Sequence, residues 1–260
     1  MSILEKIVRH KRKELEALKR KKPLESLKRE VLRRRFRKIS FEKALKGKRQ
    51  PAIIAEVKKK SPSGGILRKD FDPIKVAKAY EKGGASALSV LTDRKFFAGS
   101  VEILKKIRKT TALPILRKDF IIDEYQLWEA KAIGADAILL IAGILSQRQM
   151  KKFYALARKL GLDALFEVHS RRELERVLPL HPRIVGVNNR DLKTFKVNLD
   201  TTKKLARFVK HKAILVSESG IFTHQDLLAL KRVGCRAVLV GEGLIREADI
   251  AKALKKLLGK

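Results

Sequence analysis

Eight short apolar runs recur along the chain, and no other feature restricts its fold as strongly. They are "AIIAEVK" from Ala52, "ALSVLT" from Ala87, "ILRKDF" from Ile115, "AILLIA" from Ala137, "DALFEV" from Asp163, "IVGVNN" from Ile184, "AILVSES" from Ala213 and "AVLVGE" from Ala237. Their starts lie roughly 20 to 35 residues apart, the size of one strand plus one helix. The runs are continuous rather than alternating, as parallel strands covered on both faces require.

Between the runs lie amphipathic segments at helical spacing. "DPIKVAKAYEKGG" carries Ile74, Ala77 and Tyr80 on one face; "DEYQLWEAKAIGA" and "SQRQMKKFYALARKLG" follow, the latter with Ser146 as N-cap. Four helices are predicted to end alike, in "GGASAL", "IGADAIL", "LGLDALF" and "VGCRAVL". A glycine there suits the position after the last helical turn, and the next strand starts a few residues on. Eight such units in 260 residues fit a closed (βα)8 TIM barrel, which runs to about 250 residues as one domain. An open doubly wound sheet is the alternative, but no glycine-rich dinucleotide turn follows the first strand. The expected fold is α/β, a single TIM-barrel domain over residues 1–260. Residues 51–260 form the barrel, and residues 1–50 form a helical extension over its bottom or its rim. No Gly/Ser tract or Pro-rich stretch marks a linker.

Composition bounds the chemistry. The chain is 45% hydrophobic, ample for a large core. Cys235 is its single cysteine, which excludes an intrachain disulfide and a cysteine-based metal site and fits a reducing compartment. It precedes the eighth run, so it belongs at the bottom of the barrel in a structural role. The start, "MSILEKIVRHKRKELEALKRKK", is amphipathic and charged and lacks the apolar core of a secretory signal. The longest apolar run, "AILLIAGIL", is too short to span a bilayer, so a soluble, cytoplasmic protein with no membrane partner is expected. Lysine plus arginine number 62 against 28 acidic residues, a formal charge of +34. Such a surface attracts polyanions and steers anionic substrates. The basic residues are spread along the chain, densest in "KREVLRRRFRK" from Lys28, and no DNA- or RNA-reading motif accompanies them. Non-specific polyanion binding is therefore expected, without a specific nucleic-acid partner. Only three asparagines occur, Asn188, Asn189 and Asn198, and few amides among many charges suit a heat-adapted protein. His10, His169, His181, His211 and His224 show no metal-ligand spacing. No Walker loop or nucleophile elbow is present, and no metal is expected.

In a TIM barrel the active site lies at the C-terminal strand ends, and these are where the chain places its charges. The first run ends in Glu56 and Lys58, on one face by period-two alternation; Lys59 points away and Lys60 enters the loop. The third ends in Lys118 beside Asp119, and the fifth in Glu167. The sixth ends in Asn188, Asn189, Arg190 and Asp191, the seventh in Glu218, Ser219 and Gly220, and the eighth in Gly241, Glu242 and Gly243. Charges desolvated at a barrel mouth are costly without a task or a partner. "SESGI" and "VGEGLIR" offer glycines whose N–H groups can approach an anion, and a short helix after Gly241 would face phosphate with its N-terminus.

These segments resemble a known family. "IIAEVKKKSPSGG", "LTDRKFFAGS", "PILRKDFIIDEYQ", "GADAILLIA", "FEVHS", "GVNNRDLKTF", "SESGI" and "VLVGEGL" are similar, in order, to indole-3-glycerol phosphate synthase, from about Ser40 to the C-terminus. The resemblance implies ring closure of 1-(2-carboxyphenylamino)-1-deoxyribulose 5-phosphate, with loss of CO2 and then water, and no cofactor. It implies Lys118 as the acid that protonates the ketone, with Lys58 as a second candidate for acid or carboxylate binding. Glu56 and Glu167 share the proton transfers of dehydration, in roles left open. Asn188 holds a substrate hydroxyl, Arg190 the anthranilate carboxylate, and Phe97, Leu139 and Phe120 the aromatic ring. Ser219, Gly220, Gly241 and Glu242 take the phosphate, largely through backbone N–H groups. Ser219 is also counted with the catalytic group, and Glu218 and Ser61 with the substrate contacts. Ser61 and Ser63 lie on a candidate lid hinged at Gly64 and Gly65. The resemblance implies a small phosphorylated substrate; a monomer is expected. Gly243 departs from the family, which often has serine there. The alternatives are another phosphate-binding barrel, such as a phosphoribosylanthranilate isomerase or a tryptophan synthase α subunit, and a non-catalytic basic barrel that binds nucleic acid.

Overall fold

The runs form the strands β1 (Ala52–Val57), β2 (Ala87–Leu91), β3 (Ile115–Lys118), β4 (Ala137–Ile141), β5 (Asp163–Val168), β6 (Ile184–Asn188), β7 (Ile214–Glu218) and β8 (Ala237–Val240). Each pairs in parallel with the next, and β8 pairs with β1, so the sheet closes into a barrel. The computed structural model describes residues 2–37, 39–47, 51–191, 194–209 and 213–260; Lys38 and His211 lie outside them. Three helices precede the barrel: α1 (Ile3–Lys21), α2 (Leu24–Arg33) and α3 (Phe41–Leu45). The helices α4 (Pro73–Gly83), α5 (Val101–Arg108), α6 (Tyr125–Ala132), α7 (Gln147–Lys159), α8 (Arg171–Val177), α9 (Asp200–Val209) and α10 (His224–Arg232) follow β1 to β7 in turn. After β8 come α11 (Glu242–Ile245) and α12 (Ile250–Leu257). Lys60–Ser61 and Gly65–Ile66 form a two-stranded antiparallel hairpin in the first loop.

The local signals explain these boundaries. Side chains of Asp72, Ser100, Ser146, Ser170 and Thr223 accept backbone N–H bonds at the starts of α4, α5, α7, α8 and α10, satisfying donors that a helix start leaves free. The expected glycines Gly84, Gly134, Gly161 and Gly234 follow helix ends with positive φ, a conformation that costs glycine nothing. The barrel wall then divides the core in two. Ile53, Ala55 and Val57 face the surrounding helices, while Ala52 and Ile54 face the barrel axis. Cys235 is buried just before β8, at the bottom of the barrel.

The N-terminal extension covers both ends rather than one. At the bottom, Phe41 and Leu45 of α3 are fully buried against Ala52, Ala87, Ala137 and Ala237, the residues that open their strands. Small side chains there leave room for the two large ones, whose burial contributes roughly 1.5–3 kcal/mol each. The Asp163 carboxylate, at the start of β5, accepts the Glu42 N–H at 2.9 Å and fixes α3 in place. Helix α2 packs on α6. Helix α1 crosses the opposite end, where Ile3, Leu4 and Ile7 line the barrel mouth.

Candidate active site

The inward residues of a TIM barrel stack in layers of four, drawn from alternate strands. Ile54, Leu116, Leu165 and Val216 of β1, β3, β5 and β7 all belong to the inner apolar cluster. Two residues on, alternation returns the same four strands to the axis with Glu56, Lys118, Glu167 and Glu218. The topmost layer of the barrel is thus three acids and one lysine. The intervening strands make room for it. A side chain on Gly186 of β6 would place its Cβ 2.1 Å from Glu218 Oε1 and would displace that carboxylate.

Lys118 is the centre of this layer. Its Nζ lies 2.9 Å from Glu167 Oε2 and 2.6 Å from Glu218 Oε2. Burial alone would lower its pKa, but the charges of Glu167, Glu218 and Glu56 outweigh burial and hold it above the usual lysine range. Burial likewise opposes ionisation of Glu167; Lys118, His169 and a hydrogen bond from Asn188 overcome it and keep this carboxyl well below its ordinary value. One ammonium cannot do the same for a second acid. Burial, with the neighbouring charges of Glu167 and Glu56, pushes Glu218 up to about 7 despite Lys118. Its Oε1 is buried with no hydrogen-bond partner among the described residues. The layer therefore holds an ionised carboxylate, an ammonium and an acid poised to titrate near neutrality, the combination that general acid–base chemistry requires.

The rim adds a second cation and an apolar wall. Lys58, one residue past the end of β1, reaches back to Glu56, Nζ to Oε1 at 2.5 Å, the pairing that alternation leads one to expect; Lys59 is exposed. The Phe97 and Phe120 rings lie 5.9 Å apart, tilted by 35°, and with Leu139 they line the mouth. Ser61 and Ser63 line it from the first loop, where the Ser61 hydroxyl accepts the Gly64 N–H at 3.0 Å. Gly65 has φ +63°, the left-handed geometry that suits glycine at a hairpin turn.

The ends of β6, β7 and β8 form the opposite side. Ser219 and Gly220 take consecutive positive φ angles of 69° and 79°; for serine this costs about 1–3 kcal/mol, strain of the kind found at ligand sites. Gly241 caps α11, which opens at Glu242, as expected after the eighth strand. A Cβ on Gly241 would meet Glu56 Oε1 at 2.6 Å. Asn188 Oδ1 accepts the Ser219 hydroxyl at 2.9 Å and the Arg190 N–H at 3.0 Å, tying the sixth and seventh strand ends together. The Arg190 guanidinium bonds the Phe195 carbonyl at 3.3 Å and Glu242 at 3.4 Å, and Arg246 also pairs with Glu242 at 3.0 Å. At Gly243, a Cβ would lie 3.0 Å from both the Ile221 carbonyl and Phe222 Cδ1. The missing serine is thus matched by the close approach of Phe222, which lines the mouth.

Every residue named from sequence as a site candidate lies around this one mouth. Asn189 does not face it: its amide is buried among Ser217, Thr202 and the Glu218 carbonyl, where it braces β6 and β7. Sequence reasoning missed three contributions. The first is which residues make the roof: the extension was expected over the bottom or the rim, but Ile3, Leu4 and Ile7 of α1 were not named. The second is the buried network under Phe97 and Phe120. Lys11 of α1 contacts Asp93 at 3.0 Å and Asp119 at 3.1 Å, and Asp119 also accepts from Arg117 and Thr92. The third is His169, whose Nε2 lies 3.5 Å from Glu167 Oε1. Among the described residues there is no group of three histidines, cysteines or acids able to hold a metal, and no helix is long and apolar enough to cross a membrane.

Known proteins resemble this chain over nearly its whole length. The family model for indole-3-glycerol phosphate synthase matches residues 4–257. A protein of that name from Alkaliphilus metalliredigens is 47% identical over 98% of this chain and 97% of its own length. One from Dehalococcoides mccartyi is 49% identical over 98% of this chain and 100% of its own. Among solved structures, a tryptophan synthase α-subunit from Pyrococcus furiosus gives a TM-score of 0.62 at 18% identity, covering 81% of this chain and 99% of its own. A thiamine phosphate pyrophosphorylase from the same organism gives 0.59 at 17% identity, covering 79% and 93%. Those two likenesses concern the barrel fold alone.

Proposed function

This chain belongs to the indole-3-glycerol phosphate synthase family, and on that premise we propose that its barrel mouth closes the indole ring during tryptophan biosynthesis. The substrate is 1-(2-carboxyphenylamino)-1-deoxyribulose 5-phosphate and the product indole-3-glycerol phosphate. The observation that carries the reading is Lys118 held between Glu167 and Glu218 at the top of the barrel.

The ring carbon bearing the carboxylate attacks the ketone, and the developing alkoxide needs a proton at once. Lys118 supplies it: its ammonium is fixed on two sides by carboxylates and so needs no reorganisation as charge develops. Lys58 and Arg190 attract the substrate carboxylate, the guanidinium with its planar fork; to do so each shares or leaves its carboxylate partner in the free protein, Glu56 and Glu242. Phe97, Phe120 and Leu139 hold the aromatic ring against the roof formed by α1, and Asn188 orients a substrate hydroxyl. Ser219, Gly220, Gly241 and Glu242 receive the phosphate mainly through backbone N–H groups, since the Glu242 carboxylate is already paired with Arg190 and Arg246. Glu56 and Glu167 divide the proton transfers of dehydration. Ser61 belongs to a first-loop lid that closes over bound substrate.

In this reading the extension and barrel act as one domain, since α1 roofs the mouth and α3 plugs the bottom. The protein works as a cytoplasmic, heat-adapted monomer whose positive surface draws in its anionic substrate. Purified protein given the anilino-ribulose phosphate should generate indole absorbance and fluorescence without added metal. Folded protein that gave no turnover at any temperature would remove the proposal.

A further inference from the structure

Ring closure as proposed above takes up a proton, and the inference here rests on that reaction. In the first step the ring π pair forms the new C–C bond, and the ketone π pair moves to oxygen, which takes a proton from Lys118. The C–CO2 bond pair then returns to the ring, and a carboxylate leaves as neutral CO2. In the second step the C–O bond breaks with its pair, an acid completes the departing water, and a base takes one proton from the carbon beside nitrogen. The second step balances. The first leaves the site one proton short in each turnover, and bulk water must replace it in a layer whose acids are all buried.

A path leads out behind Glu167. Its Oε2 faces Lys118, while its Oε1 faces His169 Nε2 at 3.5 Å. The other ring nitrogen, Nδ1, lies 3.5 Å from Glu173 Oε2. Glu173 is fixed in the first turn of α8, where its backbone N–H donates to Ser170 Oγ and its carboxylate accepts the backbone N–H of His169 at 2.7 Å. Exposure rises along the row, from 4% for the Glu167 side chain to 17% for His169 and 22% for Glu173. His169 Nε2 is buried and has no hydrogen-bond partner among the described residues. It faces Glu167 at a distance that shortens readily to a hydrogen bond, as catalytic contacts do when substrate binds. Three carboxylates, Glu173, Glu167 and the more distant Glu218, surround the imidazole and raise its pKa against the effect of burial; Lys118 lies beyond Glu167.

We propose that His169, backed by Glu173, is a relay that returns a proton from solvent to the Glu167–Lys118 pair between turnovers. His169 takes a proton at Nδ1 through Glu173 from a buffer acid, whose conjugate base stays in solvent, and gives its Nε2 proton to Glu167. Glu167 passes its proton to Lys118, and transfer of the remaining ring proton from Nδ1 to Nε2 through solvent resets the imidazole for the next turnover. His169 acts through Glu167 and touches no substrate.

The test compares wild type with His169→Gln in dilute buffer that donates protons poorly. Steady-state kcat should fall at least about tenfold, less than the loss of a group acting directly on the reacting atoms. The first turnover, measured with enzyme in excess, should stay within about twofold, because Lys118 starts protonated. Added imidazole should restore most of the lost kcat, and the wild-type rate should ignore it. Glu173→Gln should show the same pattern in milder form and serves if His169→Gln folds poorly. A kcat unchanged in dilute buffer overturns the relay. So does a loss that strikes the first turnover equally and does not respond to imidazole, which would mark His169 as structural. Wild-type turnover is the control: its absence would remove the ring-closing reaction itself, whereas its presence beside either negative result removes only the relay.

Discussion

Glu218→Gln should make the protein more stable and less active, and the gain in stability should grow with pH. Burial, with the charges of Glu167 and Glu56, lifts the Glu218 carboxyl from 4.5 to about 7. In the unfolded chain it titrates at its ordinary value. A raised value in the folded state means that the fold binds this proton more tightly. The stability it contributes is complete below the unfolded value and is lost as pH rises through the folded one. Each unit of difference corresponds to about 1.4 kcal/mol, so ionising Glu218 in place costs about 3 kcal/mol once pH exceeds 7. Glutamine has no proton to lose. The stability of the mutant relative to wild type should therefore increase by about 2–3 kcal/mol between about pH 5 and pH 8. Other titrating groups cancel in this comparison. His169 is the neighbour most open to objection, but Glu173 and Glu167 both act on it more strongly than Glu218 does. Guanidinium unfolding of both proteins at both pH values measures the difference directly. Activity should drop in the same mutant, because Lys118 loses one of its two carboxylates, an instance of stability given up for a working site. A stability difference that stays flat with pH, or a mutant that is less stable than wild type near pH 8, would refute the reasoning. It would mean that Lys118 fully compensates the buried carboxylate.

Lys118→Ala and Glu167→Gln should each lower kcat by about 10²-fold or more, the usual scale for general acid–base groups; a loss below about threefold in steady-state assays would remove that residue from the mechanism. Inorganic phosphate should compete with substrate, and Gly220→Ala or Gly241→Ala should weaken that inhibition, since the added Cβ would lie 2.4 Å from Val197 Cγ1 or 2.6 Å from Glu56 Oε1. Phosphate inhibition unchanged in both would disprove the anion site. Lys11→Met should destabilise the fold by about 3–5 kcal/mol in denaturant titrations, because it leaves the buried Asp93 without its cation and Asp119 with Arg117 alone. A cost under about 1 kcal/mol would show that α1 is not held at the mouth by this network.

The barrel was legible in the sequence because a strand buried on both faces leaves a continuous apolar run, and the same glycine ends one helix after another. The site was legible because alternation continues to the strand ends, where an inward position can no longer be filled by the core and shows as a charge. Which charge meets which was less legible. Glu56 and Lys58 are two apart in sequence, Lys58 one step past the end of β1, so their pairing needs no knowledge of the fold. Lys118 meets Glu167 and Glu218 only because the barrel closes and brings alternate strands into one layer, a relation spread over 100 residues. Helix α1 announces an apolar stripe but not what it covers; that depends on Lys11 finding Asp93 and Asp119, three residues with no local signal.

His169 is a different kind of omission. Among five histidines without metal-ligand spacing it looks ordinary, and β5 ends one residue before it, at Val168. Yet it stands two residues after Glu167, as Lys58 stands two after Glu56. The rule that placed Lys58 at the mouth also places His169 beside Glu167, provided alternation is followed one step past the end of the strand. In both strands the inner acid of the pair is 5% exposed or less, and its partner lies nearer the solvent. A buried carboxylate at a barrel mouth is thus escorted twice by a basic group at the same offset. One escort is an ammonium, suited to binding an anionic substrate; the other is an imidazole, the side chain that can pass a proton on near neutral pH.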